Sequence, residues 1–168
     1  MSHPLPTRTR AYVALGANIG EPVRHLRAAV ADLASLPDTV VVARSSLYRS
    51  APVGLLDQPD FINAVVAIDT ALAPIPLLRA LLAIEAHHGR VRSVPNAPRT
   101  LDLDLLLHGE VHLDSPELTL PHPRMHERAF VLLPLLEIAP DVALPGLGPA
   151  RHFLAAVAGQ QIARSEPM

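Results

Sequence analysis

Apolar residues fall along the chain in short blocks, and the spacing inside each block predicts its form. Ala11 to Ala14 is an apolar strand, followed by the turn Gly16-Ala17-Asn18-Ile19-Gly20. Glu21-Pro22 then opens an alanine- and leucine-rich helix to about Leu36; proline is tolerated in a first helical turn, and Pro37 ends the run. Thr39 to Tyr48 and Phe61 to Thr70 are β-branched and apolar, so both read as strands. Between them Ser50 to Pro59 carries Pro52, Gly54, Asp57 and Pro59, a long loop of the kind that tends to hold function in a compact domain. Pro74 to His88 offers Leu77, Leu78, Leu81, Leu82 and Ala86 as the buried stripe of a helix that stops at Gly89. His87 and His88 fall in its last turn, where the helix dipole favours cations, and read as capping or solvent-facing. A second long loop, Arg90 to Arg99, leads into the strand that begins at Asp102. Beyond it, Glu117 to Pro123 reads as extended, Ala129 to Glu137 and Ala150 to Ala158 as short helices, and residues 1–10 and 160–168 as loose tails.

The order β, α, β, β, α, β predicts an α+β fold with a ferredoxin-like core: an antiparallel sheet, helices on one face, and extra helices at the C-terminus. A parallel doubly wound sheet fits less well, because no helix separates the strands between Thr39 and Thr70. The 168 residues make one domain, with no internal repeat and no linker.

Composition narrows the chemistry. A net charge of −2 gives no general pull toward nucleic acid or anionic membrane, so positive charge for a phosphate must be local. Cysteine is absent, which removes disulfides, thiolate nucleophiles and zinc-thiolate sites. All 14 basic residues are arginine, so Schiff-base chemistry and a lysine-bearing P-loop are excluded, and the glycines at 16 and 20 match neither nucleotide fingerprint. No uncharged apolar run approaches the ~20 residues of a membrane span, and Met1 to Arg10 lacks the apolar core of a signal peptide; the expected location is the cytoplasm.

Against this background Asp102 and Asp104 stand out. Residues two apart in a strand share a face, with alpha carbons ~6.5 to 7 Å apart, so both carboxylates project together. Carboxylates are hard ligands suited to magnesium, which is usually held by one or two of them plus the phosphates of a substrate. Arg90, Arg92 and Arg99 lie just upstream, and guanidinium matches phosphate oxygens in a bidentate way. The group reads as metal-assisted handling of a polyphosphate. Two solvated acids tied to arginines on an exposed strand would give the same local pattern, and at this level both readings stand. His122 and His126, four apart, lack an HExxH glutamate, and Pro123 argues against a helix there. A ferredoxin-like RNA-binding module would need an aromatic RNP1 pattern and a basic sheet face, and the chain has neither.

Six segments occur together in one order: Ala14-Leu15-Gly16-Ala17-Asn18-Ile19-Gly20, Tyr48-Arg49-Ser50-Ala51-Pro52, Asp57-Gln58-Pro59-Asp60-Phe61-Ile62-Asn63-Ala64, Gly89-Arg90-Val91-Arg92, Pro98-Arg99-Thr100-Leu101-Asp102-Leu103-Asp104 and Leu120-Pro121-His122. In these the chain, from about residue 11 to about 145, resembles the 6-hydroxymethyl-7,8-dihydropterin pyrophosphokinases of the folate pathway. The resemblance implies transfer of a pyrophosphoryl group from ATP to the hydroxymethyl oxygen of the pterin, with AMP leaving. It implies two Mg2+ ions on Asp102 and Asp104, bridging the phosphates and the attacking hydroxyl, with no dedicated general base. Arg90, Arg92 and Arg99 would act on the phosphates in catalysis, and Glu85, Leu105, Thr119, His122 and Arg128 would lie with them around ATP. Ser50, Pro52, Val53, Phe61, Asn63 and Phe130 would form the pterin site, Asn63 reading the polar edge and the two phenylalanines sandwiching the ring. The implied partners are the two small substrates, with no nucleic acid or membrane, and the implied state is a monomer. Relatives often carry an aromatic where Asn96-Ala97-Pro98 stands, another where Pro123 follows His122, and a polar residue at Leu82. All three departures lie on the nucleotide side. The loop from Arg90 to Arg99 is expected to close over ATP through its arginines.

Overall fold

Strand β1 (Thr9–Ala17) lies inside a six-stranded sheet, hydrogen-bonded on both sides to antiparallel neighbours. The fold is a computed structural model that describes residues 7–52, 57–89 and 100–168. After β1 come α1 (Pro22–Ala34), β2 (Thr39–Arg44), β3 (Tyr48–Ser50), β4 (Phe61–Thr70), α2 (Pro74–His87) and β5 (Asp102–His108). The chain continues through the short strands β6 (Leu113–Asp114) and β7 (Thr119–Leu120), helix α3 (Ala129–Ile138), the hairpin β8 (Ala143–Leu144) and β9 (Gly148–Pro149), α4 (Leu154–Val157) and β10 (Ile162–Arg164). The strand order is β10-β3-β4-β1-β5, with β2 beside β3 along the same edge of β4. This is the expected ferredoxin-like antiparallel core. The strand expected from Thr39 to Tyr48 is broken in two at Ser45, whose hydroxyl accepts the Val65 amide while its own amide donates to the Val65 carbonyl.

Alternation along the central strands divides the apolar residues between two cores. Ala11, Val13, Leu15 and Ala17 of β1 and Ile62, Ala64, Val66 and Ile68 of β4 point to one face. There they meet Leu26, Ala29, Val30 and Leu33 of α1, spaced at helical i, i+3, i+4 and i+7, and Leu77, Leu81 and Ile84 of α2. The buried stripe of α2 thus runs through Ile84 and Glu85; Leu82 and Ala86, expected inside, are exposed. Helices do not keep to one face as expected. Helix α3, apolar on nearly every side, packs on Ala14, Val65, Leu106 and Leu107 of the opposite face, with Ala150 and Val157 behind it. Two residues at successive positions, Leu106 and Leu107, reach this second core because β5 shifts register against β1 between Tyr12 and Val13.

Glu137 near the end of α3 ties that helix to the break between β2 and β3. Its carboxylate accepts the Ser46 amide at 2.9 and 3.1 Å, the Ser46 hydroxyl at 2.8 Å and the Tyr48 hydroxyl at 2.8 Å. Burial works to raise the Glu137 carboxyl, but these donors and Arg164 outweigh it and hold the group below the usual carboxylate range.

The C-terminal segment is not the loose tail expected from Gln160. Ile162, Ala163 and Arg164 pair with Ser50, Arg49 and Tyr48, and the Leu47 amide and carbonyl bond Glu166 and Ser165. A three-residue strand such as β3 would otherwise present an open edge, and β10 covers it. At the other end, strand structure already begins at Thr9, inside the stretch expected to be loose. The helix expected over Ala150 to Ala158 starts as a 3-10 turn, Ala150–Phe153, before α4. Helix α2 ends where expected, with Gly89 at φ +78°. His88, read as capping or solvent-facing, is turned inward, its side chain only 8% exposed.

Candidate active site

Register places one row of residues across four strands: Tyr48 opposite Asn63, Asn63 opposite Gly16, and Gly16 opposite Asp102. Partners directly opposite in antiparallel strands share a face, here the one that α3 packs on. One step along, Ala14 stands opposite both Val65 and Asp104. In the other direction Phe61 stands opposite Ser50. Asp102 and Asp104 are half-buried on β5, the last strand of the sheet, and their common face follows from the period of two.

Asn63 is buried, and its orientation is set locally. Its Nδ2 donates to Ser50 Oγ at 2.7 Å, while Oδ1 is turned toward Gly16, where a built Cβ would come within 3.3 Å of it. Gly16 therefore leaves the floor between Asn63 and Asp102 free of a side chain. Phe61, two residues before Asn63 and half-buried, shares its face; Phe130, half-buried, is the second residue of α3 on the same side. The Arg128 guanidinium lies 5.5 Å from the centre of the Phe130 ring. Pro52, two residues after the end of β3, is half-buried. Val53, Arg90, Arg92 and Arg99 lie outside the described residues, as does the expected closing loop.

On the nucleotide side the expected residues separate. Glu85 is buried, and its Oε2 accepts the Leu103 amide at 2.7 Å, fixing the backbone between the two aspartates to α2. Leu105 does not join the carboxylates. Its side chain is buried in the α1 and α2 core on the opposite face, so what it can offer there is backbone. Thr119 is half-buried on β7, and the chain beyond it returns to β5 through the His122 amide, which donates to the Leu106 carbonyl at 2.9 Å.

His122 is held neutral. Burial and then the charge of Arg128 push its ring down to about 4, with Asp102 opposing and Arg124 adding to the shift. Nδ1 accepts the Arg124 amide at 3.2 Å, which leaves Nε2–H as a donor. The linkage sign is definite. Below the ordinary imidazole value near 6.5 the unfolded chain takes up a proton that the native ring refuses, so the contribution of neutral His122 to stability is lost as pH falls from there toward about 4. An NMR titration of the His122 ring should show a midpoint near 4 in the free protein, and a midpoint at 6 or above would contradict the burial argument.

Sequence reasoning assigned no role to Gly16, Asn18 or Gln58. Asn18, 3% exposed, donates to Gln58 Oε1 at 2.7 Å and to the Pro59 carbonyl at 3.0 Å, tying the first turn to the segment before Phe61. The available signals were a glycine inside an apolar strand pattern, which marks close approach, and an asparagine at a turn. Among the described residues no group of three or more histidines and carboxylates is arranged for a metal. A cation held by the paired aspartates would need further oxygen ligands, such as those of a substrate and water.

The family model described as 7,8-dihydro-6-hydroxymethylpterin-pyrophosphokinase matches residues 12–140. The chain belongs to this family. A Pseudomonas aeruginosa protein named 2-amino-4-hydroxy-6-hydroxymethyldihydropteridine pyrophosphokinase is 55% identical over 136 residues, covering 81% of this chain and 84% of the relative. A Haemophilus influenzae protein of the same name is 49% identical over 135 residues, covering 80% and 84%. Among solved structures, wild-type Plasmodium falciparum HPPK-DHPS with pterin and p-hydroxybenzoate superposes with a TM-score of 0.69 at 15% identity, covering 89% of this chain and 43% of that one. At that identity the likeness speaks for the fold, and this chain spans less than half of the longer protein. Members of the family transfer pyrophosphate from ATP to a hydroxymethylpterin in folate synthesis, and this chain is an enzyme of that kind.

Proposed function

We propose that the row Asn63, Gly16, Asp102 is the bed on which the acceptor lies, and that the transfer takes place over Asp102 and Asp104. Strands lie ~4.8 Å apart, so Asn63, two strands from Asp102, is ~10 Å from it, about the span of a bicyclic pterin with its hydroxymethyl arm. That spacing is the observation that carries the reading. A ring laid over the bare Gly16 meets the Asn63 amide with its polar edge and delivers its arm to the carboxylates. Phe61 and Phe130 supply apolar walls, and Ser50 keeps the amide from turning.

Asp102 and Asp104 fit Mg2+ in number and type, and the ion supplies charge neutralisation and alignment of the phosphates when bound. Around it the chain places charge and hydrogen bonds. Arg128 and, outside the described residues, Arg90, Arg92 and Arg99 match phosphate oxygens; neutral His122 offers Nε2–H without adding charge. Glu85 holds the backbone between the aspartates so that both carboxylates keep their direction. Catalysis in such a site is positioning and electrostatics, which suits phosphoryl chemistry. We take the enzyme to act as a single chain in the cytoplasm on its two small substrates, without nucleic acid or membrane. Among the described residues no helix is long and apolar enough to cross a membrane.

The test is nucleotide release from Mg-ATP with and without 6-hydroxymethyl-7,8-dihydropterin. Pterin-dependent AMP is the expected product; ADP as the sole nucleotide product would overturn the reading.

A further inference from the structure

Helices α1 and α2 pack side by side on the sheet, and a polar chain joins them at one point. His88, which closes α2, places Nε2 at 2.9 Å from Asp32 Oδ2 on α1. Its Nδ1 lies 2.9 Å from Nδ1 of His25, two turns before Asp32 on the same helix. The His25 and His88 rings meet edge to face with centroids 5.2 Å apart, and His87 stands edge-on to His88 at 5.8 Å. Glu85, the other ionisable group of that turn, is directed to the Leu103 amide instead. Asp32 on α1 and His87 on α2 are ionisable groups that face the pair.

Proton counting gives this chain a definite behaviour. The Asp32 carboxylate accepts, so His88 Nε2 carries hydrogen. With both rings neutral, His88 Nδ1 is a lone pair and His25 Nδ1–H donates to it. One added proton leaves the bond in place, since either ring can be the cation that donates. A second added proton puts hydrogen on both facing Nδ1 atoms, and two donors at 2.9 Å repel.

The position of the chain gives it a task. The His88 and Gly89 amides close α2 on the carbonyls of Ile84, Glu85 and Ala86, and the arginine-bearing segment 90–99 departs from there. We propose that His25 and Asp32 are positioning residues for the nucleotide half of the reaction. They hold His88, and with it the end of α2, against α1 through a bond that survives one extra proton on the imidazole pair and not two. This rests on the pyrophosphokinase reading of the arginine segment. It concerns residues outside the substrate site proposed above.

His25→Ala removes the bond, whereas His25→Asn presents an amide at the reach of Nδ1 that donates or accepts and does not titrate. The KM for Mg-ATP, the KM for pterin and kcat are measured at about pH 5.5 and about pH 8, on either side of the range where imidazole changes charge. Amide exchange at His88 and Gly89 is followed alongside. His25→Ala should raise the KM for Mg-ATP about two- to tenfold at the higher pH, the scale of one lost hydrogen bond, with the pterin KM unchanged and faster exchange at Gly89. His25→Asn should restore the KM and remove the part of its rise at low pH that depends on the histidine pair. If His25→Ala leaves the Mg-ATP KM and Gly89 exchange as in the wild type, the positioning role is wrong. If His25→Asn retains the full wild-type rise at low pH, the proton count is wrong. A wild-type protein that forms no AMP would instead sink the functional reading, and the exchange measurement would still report on the latch.

Discussion

Asp102→Ala and Asp104→Ala are each expected to lower turnover about a thousandfold or more, the scale of losing several kcal/mol of transition-state charge stabilisation. The fold should survive. Both side chains are half-buried at the last strand of the sheet, and neither belongs to the two apolar cores that hold it together. The backbone between them is fixed independently by Glu85 and by pairing with β1. Melting temperature without ligand should therefore change little. The discriminating measurement is the upward shift in melting temperature given by Mg-ATP, present in the wild type and lost in either variant, because a ligand stabilises only what it binds. Turnover near the wild-type level at saturating magnesium would reduce the pair to surface acids.

Asn63→Ala should weaken pterin binding by about 5- to 100-fold, because an acceptor edge left unpaired in a buried site costs ~1 to 3 kcal/mol. Phe61→Ala should act in the same direction and less, since stacking adds ~0.5 to 1.5 kcal/mol beyond area burial. Asn63 shares its row with Asp102 but stands two strands from it, with Gly16 between, and Phe61 lies a further step along β4, so affinity for a non-hydrolysable ATP analogue should hold. Asn63 also donates to Ser50, so part of its loss reflects a freed hydroxyl. Calorimetry with the two ligands separates these effects. Equal losses for pterin and nucleotide would point to a packing defect of the β3 and β4 region rather than to a ring-reading site.

Some of this was legible in linear order, for identifiable reasons. The period of two in Asp102 and Asp104 places their carboxylates on one face in any strand, and the same holds for Phe61 and Asn63. The βαββαβ order, the bounds of β4 and the stop at Gly89 are local matters, decided by β-branching, proline and a positive φ. The total absence of lysine made arginine the only side-chain cation for phosphate.

What lay beyond reach depended on partners distant along the chain. Leu105 sits one residue from Asp104 and yet faces the other core, a consequence of alternation that its place in the motif concealed. Glu85 is buried because the Leu103 amide, in a different element, takes its carboxylate. The stripe of α2 turned to follow it. His88 faces inward because α1 offers His25 and Asp32, and the C-terminal residues pair because β3 is short and its edge was open. The gap over Gly16 exists only through register between β1, β4 and β5. Sequence by itself named the groups proposed to carry the chemistry and determined which residues share a strand face, because those follow from covalent neighbours and backbone period. Tertiary structure alone decided which face meets which helix and which polar groups find each other, because burial and hydrogen bonding are satisfied between segments that the chain order leaves far apart.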